Sequence, residues 1–351
     1  MKKSRRVLSV HWSFWQRRCL ACEIFCLFLL SSLLVEICEK SQKTHIIHTF
    51  FRREKMKRVI AVITLTFVFL TGQALAAEWT TPVPVASGVN TQYADETPFL
   101  SSDGLSLYFS RGYDSGYYFR IYEAKRSQPS GDFTSVNQVL SSSGCHVMHP
   151  WVSPDNLRMY YHVESSSWQV KMSQRTSVND PWSAGTVVSG LPSPIVYETL
   201  SQDELTMVFD APNGSNGRDL YITSRTDRNS SFGNIRYLSE INSSASDDSP
   251  SLSPDGLSLY FSSDRNGLSQ IFETTRQSIN NPFGNPMLLP IDMPNGVAWP
   301  DISISGNGKA LYFGCGGTNP DIYVSYNVPE PATLALLGLG ALALRKRRKL
   351  A

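Results

Sequence analysis

The chain has 351 residues, 41% of them hydrophobic and 18% charged, with 23 Gly, 20 Pro, 17 Phe, 15 Tyr and 7 Trp. Such aromatic content excludes a disordered or collagen-like polymer, and the length suffices for one large domain or two ordinary ones. The net charge of +2 averages unlike regions: residues 1–58 carry 13 Lys and Arg against 4 acids, whereas 77–328 carry 14 bases against 25 acids. A body near −11 lacks the basic residues that would replace phosphate counterions, so no nucleic-acid partner is expected for it.

Residues 1–55 hold Cys19, Cys22, Cys26 and Cys38 and an apolar patch from Ile24 to Val35. Cys19 and Cys22 have CxxC spacing, but one such pair is weak evidence for zinc. The segment lies ahead of a complete export signal and is read as an extension upstream of the true start at Met56, with a membrane anchor as the alternative. The signal occupies residues 56–76. Met56-Lys57-Arg58 is its basic region, Val59 to Leu70 its uncharged core, and Ala74 and Ala76 its small-x-small site, with cleavage expected after Ala76. The apolar run is shorter than the roughly 20 residues a permanent bilayer span requires.

A single unit then repeats. The frame Ser253-Pro254-Asp255-Gly256 recurs around Asp103, Asp155, Asp203, Asp255 and Asn307, at spacings of 52, 48, 52 and 52 residues. Each copy is followed by an aromatic pair or its equivalent: Tyr108-Phe109, Tyr160-Tyr161, Val208-Phe209, Tyr260-Phe261 and Tyr312-Phe313. The frame has the composition of a type I turn joining two short apolar strands. Third strands are predicted at 119–124, 169–173, 219–223, 270–274 and 321–325. Fourth strands are predicted to begin at Phe133, Trp182, Phe232 and Phe283. Four short antiparallel strands per unit of about 50 residues describe a propeller blade.

The fifth unit has no fourth strand after it. Glu78 to Val85 lies 24 residues before Asp103, as Phe283 lies 24 before Asn307, so this segment is expected to close the ring. The predicted fold is therefore all-β: a five-bladed β-propeller of four-stranded antiparallel blades over residues 77–327, its last blade closed by the N-terminal strand. Closure removes a sheet edge that would otherwise pair with other chains.

The units resemble the TolB-type, WD-repeat-like propeller repeat, with its Pro-x-Leu-Ser-Pro-Asp-Gly, Leu-Tyr-Phe and Asp-Leu-Tyr pattern, most strongly from Pro250 to Phe261. The resemblance implies a scaffold for protein or ligand contact without a fixed catalytic motif. Asn156 and Glu204 depart from the pattern where it has Gly, a strained substitution if the position needs a positive φ.

Loops entering the innermost strands are expected to gather at one mouth of the channel. They bring Asp95, Glu96, His146, His149, Tyr197, Glu198, Asp247, Asp248, Trp299 and Asp301, and the loops after second strands add Arg111, Tyr113, Tyr117, Tyr118, Trp168, Arg265 and Asn266. Rings and carboxylates suit a sugar or a cationic group. Against this stands the commoner role of loop acids, which is to satisfy the loop backbone. Blade two carries every histidine of the body. Cys145, His146, His149 and His162, with Glu164 beyond, could hold zinc or copper. Otherwise no cofactor is expected.

Cys145 and Cys315 are the body's cysteines, expected as unpaired thiols. A glycosidase would need two carboxyls roughly 5–10 Å apart. Asp95, Glu198, Asp248 and Asp301 are candidates, but nothing singles out a pair. The expected function is non-catalytic binding, with a propeller glycosidase or a periplasmic scaffold as alternatives and a carbohydrate or an envelope protein as ligand.

Residues 328–351 end the chain with Val328-Pro329-Glu330-Pro331, an uncharged run from Ala332 to Leu344, and Arg345-Lys346-Arg347-Arg348-Lys349. The basic cluster favours the cytoplasmic side. The arrangement resembles the PEP-CTERM sorting signal. That resemblance implies a short transmembrane helix, transient membrane contact, processing by an exosortase-type membrane protease, and delivery of a monomer to the bacterial cell surface or an exopolysaccharide matrix.

Overall fold

The structure, a computed structural model, describes residues 78–328 apart from 87, 113–117, 165–167, 215–216, 295–299 and 317–318. The N-terminal extension, the export signal with Ala74 and Ala76, and the tail with Pro329, Glu330 and Pro331 lie outside the described residues. No helix among those described is long and apolar enough to cross a membrane.

The described strands form five antiparallel sheets. Blade one is β3 (Asp95–Leu100), β4 (Ser106–Arg111), β5 (Arg120–Lys125) and β6 (Ser135–Leu140). Blade two is β7 (His146–Val152), β8 (Arg158–Glu164), β9 (Trp168–Gln174) and β10 (Thr186–Val187). Blade three is β11 (Glu198–Leu200), β12 (Thr206–Pro212), β13 (Arg218–Ser224) and β14 (Gly233–Tyr237). Blade four is β15 (Asp247–Leu252), β16 (Ser258–Ser263), β17 (Gln270–Thr275) and β18 (Met287–Leu288).

Blade five takes β19 (Asp301–Ile304), β20 (Ala310–Cys315) and β21 (Asp321–Val328) from the end of the domain and its outer edge from the beginning. That edge comes in two pieces, β1 (Glu78–Trp79) and β2 (Val83–Pro84), both antiparallel to β21. Trp79 pairs with Asn327 and Val83 with Val324. The predicted closure is therefore present. The predicted fourth strands are displaced: Phe133, Trp182, Phe232 and Phe283 precede the outer strands rather than starting them. Their rings are buried instead between neighbouring blades.

The turn frame has one construction in all five units. The serine at its start donates its hydroxyl to the Asp or Asn two residues on, as Ser253 does to Asp255 at 2.6 Å. The fourth position has φ of 71° at Gly104, 58° at Asn156, 66° at Glu204, 69° at Gly256 and 68° at Gly308. This left-handed conformation is why glycine is preferred there. At Glu204 a compensation is visible, because its fully buried carboxylate accepts from Arg158 Nε and Nη2 and from Tyr160 Oη at 2.7–3.0 Å. The strained residue thereby ties blade three to blade two.

Blades are also stapled near the axis. Ser110 Oγ accepts from the His149 amide at 3.2 Å, Asp210 from the Ser249 amide at 3.0 Å, and Thr199 Oγ1 from the Leu252 amide at 3.1 Å. His149 and Ser249 have φ of 56° and 51°, and each sits in a bulge that turns its N–H toward the preceding blade.

Candidate functional site

Thr97, His149, Tyr197, Ser249 and Asp301, one from each blade, each stand six residues before the Asp or Asn of the turn frame. They line a cavity of about 40 Å³. That volume accommodates a few waters or a small ion. Pockets for sugar-sized ligands are on the order of 300–1,000 Å³, so this cavity by itself is too small to enclose a saccharide.

Asp301 lines this cavity, and behind it and Tyr197 stand Glu96 and Asp248, named from the sequence, together with Asp210 and Arg218, which were not. Asp210 occupies the position in its blade that Ser110, His162, Ser262 and Gly314 occupy in theirs, directly after the aromatic pair. The signal was a column of small or polar residues at one register of an otherwise apolar strand. Arg218 opens β13 and faces Asp210, with Nη1 4.0 Å from Oδ2, and its guanidinium lies 5.4 Å from the Tyr197 ring centre. Gly314 leaves room at the seam between blades five and one. A Cβ there would lie 3.2 Å from Glu96 Cα and 3.5 Å from Asp301 Oδ2.

Burial governs the acidity of this cluster. It pushes Glu96 up to about 8, helped by the charges of Asp301 and Asp95. Asp301 is pushed up to about 7 by burial, against the hydrogen bond it accepts from Tyr197. Burial also raises Asp210 to about 8 and Asp248 to about 6, with Arg218 opposing both shifts. Four carboxyls with one nearby arginine thus hold protons near neutrality, as expected for acids taken out of water without enough counter-charge.

Other residues named from the sequence make internal bonds within their own blades. Asp95 is fully buried, accepts from Arg111 Nε at 2.5 Å, and accepts from the Thr91 amide and hydroxyl at 2.7 and 2.8 Å. Arg111 completes its bonding at Val89 O, 2.6 Å, and lies over the rings of Phe109 and Tyr122. Blade four repeats the device. Asp247 takes Arg265 Nη2 at 2.5 Å and the Ser243 amide and hydroxyl at 2.6 and 2.9 Å, while Arg265 covers Phe261 and Phe272. The loop acids thus fix their own entering loops. Trp299, Tyr113 and Tyr117 lie outside the described residues, and Asn266 bonds Gln270 on the surface.

The candidate metal ligands of blade two, Cys145, His146, His149 and His162, do not converge on one point among the described residues. His162 Nε2 bonds Glu198 Oε2 in a wholly buried pair. His149 packs on the His162 ring at 5.2 Å and on Tyr197 at 4.1 Å between centres, and Trp168 covers both imidazoles at 6.2–6.4 Å. Burial and the neighbouring His162 and Arg218 hold His149 well below the usual imidazole range, so it is neutral.

His146 lies apart, 3.8 Å from Glu164 and against Tyr118 and Phe119. Cys145 is turned into the core, where Sγ meets Ser142 Oγ at 3.1 Å. Among the described residues no three His, Cys, Asp or Glu side chains converge as a metal ion would require. Cys145 and Cys315 are both free and buried, as expected, and burial pushes the Cys315 thiol up to about 12.

Residues 327–349 match the PEP-CTERM protein-sorting motif. The motif marks an exported protein that is processed by an exosortase-type membrane enzyme and held transiently in the membrane before sorting to the surface. No curated protein matches the sequence.

Solved propellers are similar at low identity. A TolB candidate from Agrobacterium tumefaciens is 19% identical, with 65% of this chain and 72% of that one covered at a TM-score of 0.43. TolB from Acinetobacter baumannii is 14% identical over 68% of this chain at a TM-score of 0.46, and the chain spans 56% of its length. The α-L-arabinofuranosidase PaAbf62A from Podospora anserina is 13% identical, with 72% and 98% covered at a TM-score of 0.47.

Proposed function

We propose that this chain is an exported, surface- or matrix-associated binding propeller without catalytic activity, sorted through its C-terminal signal and released from its tail by an exosortase-type protease. The observation that carries the reading is the state of the mouth. Its carboxyls are either locked in internal pairs, as in Asp95–Arg111 and Asp247–Arg265, or gathered above a cavity too small for a sugar ring. Glycoside hydrolysis would need an acid and a base facing each other across an open cleft, a role this reading does not give them.

A second reading has one observation in its favour. Glu96 and Asp301 are adjacent acids with raised pKa values of about 8 and about 7, the pattern of a carboxyl kept protonated for general-acid work. The exported protein, harvested after secretion, is to be screened on a glycan array and assayed for new reducing ends on every glycan it retains. Retention without turnover supports the binding reading. Turnover lost in Glu96→Gln or Asp301→Asn establishes the glycosidase instead.

A further inference from the structure

Four arginines occupy one position of the repeat, each stacked on the aromatic residue that precedes an outer strand. Arg126 lies 4.7 Å over Phe133, Arg175 4.2 Å over Trp182, Arg225 4.5 Å over Phe232 and Arg276 4.5 Å over Phe283. Each donates Nε to a carbonyl at the turn of its own blade. The first three also reach back to a tyrosine of the preceding blade. Arg175 Nη2 donates to Tyr108 Oη at 3.2 Å, Arg225 Nη2 to Tyr160 Oη at 2.7 Å, and Arg126 bonds Tyr312. Arg276 meets no such hydroxyl, because Val208 stands in the tyrosine position of blade three.

At this gap, between blades three and four on the turn face, the surface opens into a groove of about 780 Å³. That is within the usual range for an organic ligand and some twenty times the channel cavity. Arg236 and Arg276 line it together with the turn residues Asp203 and Asp255 and the amides Asn234 and Asn281. Arg236 has an ion pair with Glu240 at 3.0 Å. Among the described residues Arg276 has its carbonyl bond and its ring beneath, and burial together with the Arg236 charge lowers its pKa. Apart from Ile222, Ile279, Gly256 and two prolines the lining side chains are hydroxyl, amide or charged. Such a wall matches a chain of sugar hydroxyls better than a peptide, whose anchors are apolar or aromatic side chains.

We propose that the groove between blades three and four binds an acidic oligosaccharide, with a uronate carboxylate taken by the fork of Arg276 that in the other blades is turned to a tyrosine. An Arg–carboxylate pair of this kind is bidentate and geometrically selective. The proposal rests on the reading of the chain as a binding protein but places the ligand on the face opposite the channel mouth.

The test is calorimetric titration of the exported protein with an oligomannuronate, an equal-length neutral mannan oligomer and a polyglutamate peptide. The expected result is binding of the uronate at least tenfold tighter than of the neutral oligomer. Arg276→Gln should abolish that preference, and Lys309→Gln, an exposed charge of the blade-five turn, should retain it. Val208→Tyr, which restores the hydroxyl, should weaken uronate binding at least fivefold. Unchanged preference in Arg276→Gln overturns the groove while leaving the protein a glycan binder. Tighter binding of polyglutamate, or no uronate binding at millimolar concentration, also overturns it. New reducing ends during the titration overturn instead the non-catalytic reading on which it rests.

Discussion

Trp79 and Tyr260 meet edge to face, their ring centres 6.4 Å apart and their planes at 82°. Tyr108 and Trp182 make the same contact at 6.3 Å and 73° between blades one and two. The N-terminal segment therefore supplies blade five with the buried aromatic that Trp182 supplies to blade two. Replacement of Trp79 by Ala should cost about 3–5 kcal/mol. It should also loosen β1 and expose the edge of β21, so the variant should self-associate. Urea unfolding and sedimentation check both. A monomer of wild-type stability would show that the seam is held elsewhere.

Glu204 sets a backbone cost against a network. Glycine at its φ of 66° would recover about 1 kcal/mol of conformational strain. The same change strips the buried acceptor from Arg158 and Tyr160, and breaking a buried ion pair costs about 3–5 kcal/mol. Glu204→Gly should therefore destabilise by roughly 2–4 kcal/mol. Denaturant midpoints decide the balance, and a stabilised variant would mean that backbone strain outweighs the inter-blade pair.

The raised carboxyls fix a pH dependence. Glu96, Asp210, Asp248 and Asp301 keep protons in the folded state up to about 8, 8, 6 and 7. The unfolded chain releases them near 4. Between these limits the native state binds more protons, so unfolding free energy falls as pH rises. Their contribution is present below about pH 4 and is lost progressively as pH passes through 6 to 8. Thermal unfolding from pH 5 to 9 should show the decline, and Glu96→Gln with Asp301→Asn should flatten it. A midpoint that rises with pH would contradict the protonated cluster.

The Asp247–Arg265 pair and its counterpart Asp95–Arg111 are read as loop anchors. Asp247→Asn should lower stability by about 3–5 kcal/mol, the usual penalty for orphaning one half of a buried ion pair, and leave glycan retention by the folded fraction unchanged. Circular dichroism melts and the glycan array test the two halves separately. Loss of retention at full stability would return Asp247 to the ligand site.

Processing is read directly by intact mass. The native secreted protein should begin at Ala77 and lack the basic tail beyond the Pro329-Glu330-Pro331 motif. Glu330→Ala should leave a longer species in the membrane fraction. A secreted form retaining Arg345 to Lys349 would argue against tail removal.

Blade number, strand order and ring closure were legible in the sequence because they follow from local chemistry repeated at a fixed interval. A Ser-Pro-Asp-Gly turn, an apolar pair and a polar loop dictate a hairpin wherever they occur. The copy of the outer segment found at Glu78 to Val85 could pair only with the blade that lacked one. The C-terminal sorting signal was equally plain, since its Val328-Pro329-Glu330-Pro331 motif, uncharged run and basic end stand in order.

The division of labour among the acids was not legible. Asp95, Asp247 and Asp248 look alike in sequence, yet the first two face arginines of their own blades and the third faces the axis. Composition does not record which carboxylate meets a counter-charge, because the partner lies 16 to 18 residues away across a hairpin, as in Asp95–Arg111 and Asp247–Arg265. The separation of the candidate metal ligands of blade two was hidden for a related reason. Cys145 turns into the core and His146 toward Tyr118, Phe119 and Glu164, while a bulge after Met148 aims His149 at His162. Periodicity determined the scaffold; the three-dimensional meeting of side chains from different blades decided which groups are spent on holding it together and which remain free for a ligand.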